Sequence, residues 1–268
     1  MPDEKDPLAV QNAPTIIVTE GPAVSKDKGS LNAWLIVFVA SVLILIALCL
    51  WRPDPYWKIM QFVPDGLLVT FGITIISICI AVPLGLLTGL GKLARNPVVN
   101  LIASMYVEII RGIPLLMQLF YIYYALGSLL KVSPMVAAVA SLSVCYGAYM
   151  GEVFRAGILA VPKGQTEAAR SLGFNRFQTM FTVVLPQAMR TIVPPVGNEC
   201  IALLKDTSLV SIIAVADLLR RGREYASQTF EYFETYTVIA LVYLIITLLL
   251  SKGLSQAEGR LSRYDRHR

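Results

Sequence analysis

The sequence predicts an all-α membrane protein with six transmembrane helices, on three observations. Hydrophobic residues make up 56% of the chain and charged residues 15%, with a mean hydropathy of +0.64, well outside the usual composition of soluble globular domains. The apolar residues gather into six runs separated by short polar segments, near the length of about 20 residues at which a helix crosses the hydrocarbon core. The alternation of apolar and polar residues over strands of about 10 residues that marks a membrane β-barrel is missing from the pattern.

Residues 1–30 hold Pro2, Pro7, Pro14 and Pro22 among charged and small residues, which favours a flexible arm over a packed unit. The first apolar run, Ala33 to Trp51, reads as a retained anchor. The segment before it is longer than an ordinary signal-peptide n-region, and Trp51-Arg52-Pro53-Asp54 offers no small-residue cleavage site. The second run, Leu67 to Leu90, places Ala81, Gly85 and Gly89 four residues apart on one face, a spacing that lets helix backbones approach closely in lipid. Pro83 in the same run is a candidate kink. The stretch Gly85 to Lys92 superficially resembles a phosphate-binding loop, but Leu93 stands where Ser or Thr belongs, so it supplies no Walker A motif.

The third run, Val98 to Leu126, is interrupted by Glu108, Arg111, Gly112 and Pro114. Ionisable groups in hydrocarbon are costly and face a partner or a wet cavity. Glu108 and Arg111 have the spacing to pair on one helical face, and with Pro114 they stand as gating or structural residues. The fourth run is Met135 to Val153, and a polar, cationic segment from Glu152 to Pro186 follows it. The fifth run, Ile192 to Ala216, carries Asn198, Glu199, Lys205 and Asp206. Asn198 and Lys205 are two helical turns apart, and Glu199 and Asp206 repeat that spacing one step round. Lys205 and Asp206 also suit a structural role at the helix end. The sixth run, Tyr236 to Leu250, leads through Lys252 to a basic tail.

Of the 23 Lys and Arg residues, Arg111 and Lys205 lie within the runs, leaving 21. With a cytoplasmic N-terminus, Arg52, Lys58, Lys131, Arg220, Arg221 and Arg223 fall outside and the other fifteen inside. That bias fits the positive-inside rule and puts the Glu152 to Pro186 loop in the cytoplasm. It also accounts for the net charge of +5 without nucleic acid. Cys49, Cys79, Cys145 and Cys200 lie in apolar runs without CxxC spacing, and His267 is the one histidine, so neither disulfides nor a metal centre is expected.

Within the loop, helix formers from Gln165 to Leu172 are followed by Gly173 and preceded by Pro162, which predicts a short helix ending in a left-handed cap. Such a helix is marginal alone in water and needs a surface to dock on, either its own transmembrane helices or another subunit.

Glu167-Ala168-Ala169, then Gly173 after three intervening residues, then Val183-Val184-Leu185-Pro186, resembles the EAA loop of permease subunits in binding-protein-dependent ABC importers. The runs Arg111 to Gln118, Gly151 to Ile158 and Leu203 to Leu209 look like those of the polar amino-acid uptake group. The resemblance covers the chain from about Leu67 to the last helix. It implies a five-helix type I importer permease core plus an extra N-terminal helix. The domains would be a cytoplasmic arm (1–30), an extra helix with a periplasmic linker (31–60), a permease domain (61–255) and a basic cytoplasmic tail (256–268). In that family the loop helix couples the permease to a separate ATPase, here through Gln165, Glu167, Ala168, Ala169, Arg170, Gly173 and Phe174. Substrate contacts would fall on Asn198 and Glu199, with Thr70 and Asp206 as further candidates. A pathway-facing Glu199 would favour a cationic substrate.

The implied function is non-catalytic: a permease subunit for polar L-amino acids in a bacterial inner membrane, with both termini cytoplasmic. Its partners would be two copies of an ATP-binding subunit holding ATP and magnesium, a second permease, identical or homologous, and an extracytoplasmic amino-acid-binding protein. No cofactor is expected in the chain itself. An ATP-independent carrier or channel for small polar solutes is the alternative. It predicts internal repeats, and the two halves show no persuasive self-similarity.

Overall fold

The structure, a computed structural model, describes residues 30–263, so the expected arm and the end of the basic tail lie outside the described residues. The helices follow in order as α1 (Ser30–Trp51), α2 (Pro53–Phe62), α3 (Pro64–Lys92), α4 (Pro97–Gly112), α5 (Leu115–Phe120), α6 (Gly127–Leu130), α7 (Pro134–Leu159), α8 (Lys163–Ser171), α9 (Arg176–Gln178), α10 (Leu185–Asp206), α11 (Leu218–Thr229) and α12 (Tyr232–Arg263). Wider π-helical turns join α5 to α6 (Tyr121–Leu126) and α9 to α10 (Thr179–Val184), and a 3-10 turn, Thr207–Ile213, follows α10.

Several boundaries follow from local chemistry. Asn96 accepts from the amides of Val98 and Val99 at the start of α4, and Ser133 accepts from Val136 at the start of α7, each just before a proline. A proline costs nothing at the first helical position, where its missing N–H would have had no partner. Asp217 caps α11 through Leu219 and Arg220. The break between α4 and α5 falls at Ile113, extended at φ −108° and ψ 128°, because Pro114 excludes the helical conformation from the residue before it.

The centre of the fold is α7, which packs most extensively on α3 and then on α10. Glycines set the separation of α3 from α7. A β-carbon on Gly85 would stand 2.6 Å from Cβ of Met150, and one on Gly89 would stand 2.8 Å from the Gly151 carbonyl oxygen. The small-residue stripe read from the sequence is therefore the α3–α7 contact. Gly85→Ala is expected to lower the thermal unfolding midpoint in detergent, since overpacking costs about 1–3 kcal/mol. Gly72→Ala, where no heavy atom lies within 4 Å of the new carbon, is the control that leaves the midpoint in place.

Among the described residues, Ala33–Trp51, Pro53–Lys92, Pro134–Leu159 and Tyr232–Gly259 are long and apolar enough to cross a membrane, and α4 with α5, bent by 100°, makes a fifth candidate. Two expectations need correcting. The run expected as a fifth span ends as an α-helix at Asp206, with Ala214 in the left-handed region at φ 64°. Its helix α10 contains Pro194, Pro195 and four charged residues, Arg190, Glu199, Lys205 and Asp206, so it is long enough to span but too polar to be recognised by hydropathy. Second, Glu108 and Arg111 do not pair. The Glu108 carboxylate lies 3.9 Å from Lys92 Nζ, and the Arg111 guanidinium sits 5.2 Å from the Tyr149 ring centroid.

Three of the six basic residues assigned to the outer side, Lys58, Arg220 and Arg221, have acidic partners nearby. Arg220 and Arg221 both bond Glu224, at 2.9 Å and 3.2 Å. The hydrogen bond from Arg220 holds the Glu224 carboxyl below its ordinary value. Arg221 also lies 3.7 Å from Asp65.

Candidate functional site

Two places combine polar chemistry with access: the loop around α8 and a small cavity where α5, α7 and α10 meet. In the first, α8 closes with a Schellman arrangement, in which Gly173 N–H donates to the Arg170 carbonyl (3.0 Å) and Phe174 N–H to that of Ala169 (3.1 Å). Gly173 sits at φ +86°, a left-handed conformation that side chains other than glycine adopt only with strain. Asn175 and Gln178 then cap each other's backbone and start α9.

Ala169 is the buried residue of α8, at 4% exposure. Gln165 accepts a hydrogen bond from Gln187 of α10 (3.2 Å). These two residues hold the helix on its own chain. Glu167, Ala168 and Arg170 are exposed and Phe174 is half-buried. Beside them Leu172 is 79% exposed and Phe177 69%, and the Phe177 and Phe181 rings pack at 4.3 Å between centroids. These side chains leave an apolar patch in the open beside a polar helix.

The second place is a cavity of about 180 Å³ lined by Leu115, Cys145, Tyr146, Tyr149, Glu199 and Asp206. The Tyr146 hydroxyl donates to the Asp206 carboxylate (2.8 Å). Arg111 reaches the same neighbourhood by lying over Tyr149. Two carboxylates and a guanidinium around one opening suit a ligand with charge of both signs, since such groups are paired when they leave water. A third polar group joins α3 to α7: Glu152 pairs with Lys92 and, at 2.9 Å, with Arg155.

A sequence profile described as "Binding-protein-dependent transport system inner membrane component" matches residues 81–257, which include both places. The chain belongs to that family. Known relatives of this inner membrane component include the glutamine transport system permease protein GlnP of Escherichia coli K12, 36% identical over 208 residues that cover 76% of this chain and 95% of GlnP. The L-cystine transport system permease protein TcyB of Bacillus subtilis is 39% identical over 211 residues, 78% of this chain and 89% of TcyB. Among solved structures, an amino acid ABC transporter with histidines is 42% identical, with a TM-score of 0.73 over 76% of this chain and 95% of the other. The inward-facing MetNI methionine ABC transporter, at 19% identity and a TM-score of 0.66, shares the fold.

Of the residues singled out by sequence in this inner membrane component, Glu199 and Asp206 come together at the cavity, and the others disperse. Asn198 is exposed, with its amide bonded to the Pro194 carbonyl (3.2 Å). Thr70 is fully buried and accepts from Leu218 N–H (3.1 Å) at the start of α11. Lys205 lines a separate space beside Tyr236 and Tyr243. Pro114 marks the α4–α5 bend. Tyr146, Tyr149 and Leu115 escaped the sequence reading because aromatic and apolar residues in a membrane helix carry no periodic or charge signal that separates a cavity wall from a lipid-facing surface.

Proposed function

We propose that this inner membrane component forms the translocation pathway of an ATP-driven importer for polar L-amino acids, working by alternating access. The observation that carries the reading is α8, a capped helix with its Glu167-Ala168 face and the neighbouring Leu172 and Phe177 exposed. Coupling residues Gln165, Glu167, Ala168, Ala169, Arg170, Gly173 and Phe174 divide the work. Gln165 and Ala169 tie the helix to its own permease, Gly173 fixes its end, and Glu167, Ala168, Arg170 and the nearby apolar side chains meet the ATPase. Two such ATPase subunits, binding ATP and magnesium, would drive a pair of permeases, identical or homologous, fed by an extracytoplasmic amino-acid-binding protein. The amino-acid permeases among the relatives support this cargo class. Coupling requires that ATP favour one of two arrangements, and a rigid element gripped by both subunits transmits that preference.

The charge bias supports cytoplasmic termini, and residues 61–255 are read as the permease domain, with 1–30 as an arm, 31–60 as an added helix and linker, and 256–268 as a basic tail. The cavity between α5, α7 and α10 is read as the substrate contact. At about 180 Å³ it is smaller than the roughly 300 Å³ of common ligand pockets, so it suits one end of a small solute. Glu199 and Asp206 would meet a cationic group and Arg111 a carboxylate.

Uptake into proteoliposomes containing the full transporter tests the reading. Transport is expected to require ATP, and to stop with a non-hydrolysable analogue. Undiminished uptake without ATP, together with no ATPase co-purifying, would overturn it. Glu199→Gln is expected to lower uptake of basic amino acids by about tenfold more than that of glutamine, the scale of one charge pair at a partly dry site. Equal losses for both would remove the cation preference and leave the importer reading in place.

A further inference from the structure

A second and larger cavity, of about 640 Å³, opens between α7, α8 and the π-helical turn after α9. Its rim carries Arg95, Lys163, Arg170 and Arg176, against a single carboxylate, Glu167. All four cations are exposed, and among the described residues none of them has an ion-pair partner, whereas Lys92 and Arg155 nearby are paired. The wall is apolar, built from Ile158, Leu159, Val161 and Val184. It begins where Pro134–Leu159, a stretch long and apolar enough to cross a membrane, ends.

We propose that this cavity binds an anionic phospholipid, with the phosphate held by the basic rim and the glycerol and first acyl carbons lying on the apolar wall. A rim of unpaired cations selects for negative charge, and arginine is suited to phosphate through its forked donors. An apolar wall at the end of a candidate membrane span selects an amphipathic ligand over a free ion, and basic pockets between membrane helices on the cytoplasmic side are a recognised form of lipid site. The rim belongs to one face of α8, on which Lys163, Glu167 and Arg170 recur at helical spacing. Glu167 and Arg170 also belong to the proposed ATPase contact, so the lipid would lie at the edge of that contact, while Ala168, well round the helix, faces the protein partner alone. A lipid there would brace α8 against the membrane and make its coupling depend on the lipid charge.

The test uses the full-length permease, purified with whatever subunits accompany it and examined by native mass spectrometry with phosphatidylglycerol, phosphatidylcholine or inorganic phosphate added. One phosphatidylglycerol per permease chain is expected to survive activation that strips phosphatidylcholine. In R95Q/R176Q, at least about tenfold more phosphatidylglycerol is expected for the same occupancy, as follows from losing two charges near the membrane surface. The charge-retaining R95K/R176K should fall between the two, which separates lost charge from lost fold. Equal retention of phosphatidylcholine, unchanged binding in R95Q/R176Q, or displacement of the lipid by inorganic phosphate would each overturn the assignment. Unchanged lipid binding with loss of the accompanying ATPase would assign the rim to a protein partner instead.

Discussion

Replacing Gly173 with aspartate is expected to leave the protein inserted and folded while lowering ATP-driven uptake at least about tenfold, with ATP hydrolysis retained, since an unpaired charge forced into a protein interface costs several kcal/mol. A β-carbon at Gly173 meets no heavy atom within 4 Å, so there is no clash inside the chain. What remains within the chain is backbone strain at φ +86°, on the order of 1–2 kcal/mol for an L-residue in the left-handed region. That strain falls least on asparagine and aspartate. Gly173→Asn therefore isolates the strain and Gly173→Asp adds the charge. The comparison that decides is uptake at equal protein in the membrane. Asparagine near wild type with aspartate inactive supports a docking surface at the end of α8. Normal uptake with aspartate would remove the ATPase from this position, and equal loss with both would assign the effect to the cap alone.

The cap and the helix it closes were legible in the sequence because their determinants are local: Pro162 before, helix formers within, and glycine where the chain must turn left-handed. The long spans were legible for the related reason that lipid imposes a length and a composition on every helix that crosses it. The α3–α7 contact could be anticipated from Gly85 and Gly89, since small residues are what two close backbones leave room for. The reading failed where a residue's role depends on what lies opposite it. Spacing alone paired Glu108 with Arg111, yet Glu108 stands 3.9 Å from Lys92 and Arg111 lies over Tyr149, both on other helices. The α10 boundaries were misjudged because a helix shielded by α3, α7 and α12 can carry prolines and charges that a lipid-facing helix cannot. Thr70 was read as a pathway residue, and its hydroxyl meets the Leu218 amide, 148 positions away in the chain.

Substituting Gln118 is expected to produce the largest loss of stability, because this side chain repairs the break that shapes the cavity. The last carbonyls of α4 have no partner within their own helix, and at membrane depth water does not supply one. Gln118 is buried at 6% exposure and answers that need from the next helix. Its amide nitrogen donates to the carbonyls of Ile110 (2.7 Å) and Ile113 (2.8 Å), one on each side of the turn into α5. Gln118→Met keeps the volume and removes both donors. With each carbonyl left unsatisfied costing about 1–3 kcal/mol, the two total roughly 2–6 kcal/mol, offset in part by removal of the buried Gln118 Oε1, which has no partner, and read as a lower thermal midpoint in detergent. Uptake should fall with it. Arg111 precedes the break and Leu115 follows it, and the 100° bend is what lets one chain segment bring a guanidinium over Tyr149 while the next lines the wall beside Glu199. Gln118 is a positioning residue in this account, so its loss should weaken both the apparent affinity for substrate and the maximal rate. A methionine variant with wild-type midpoint and wild-type uptake would mean that Pro114 and the packing around α7 hold the bend without it.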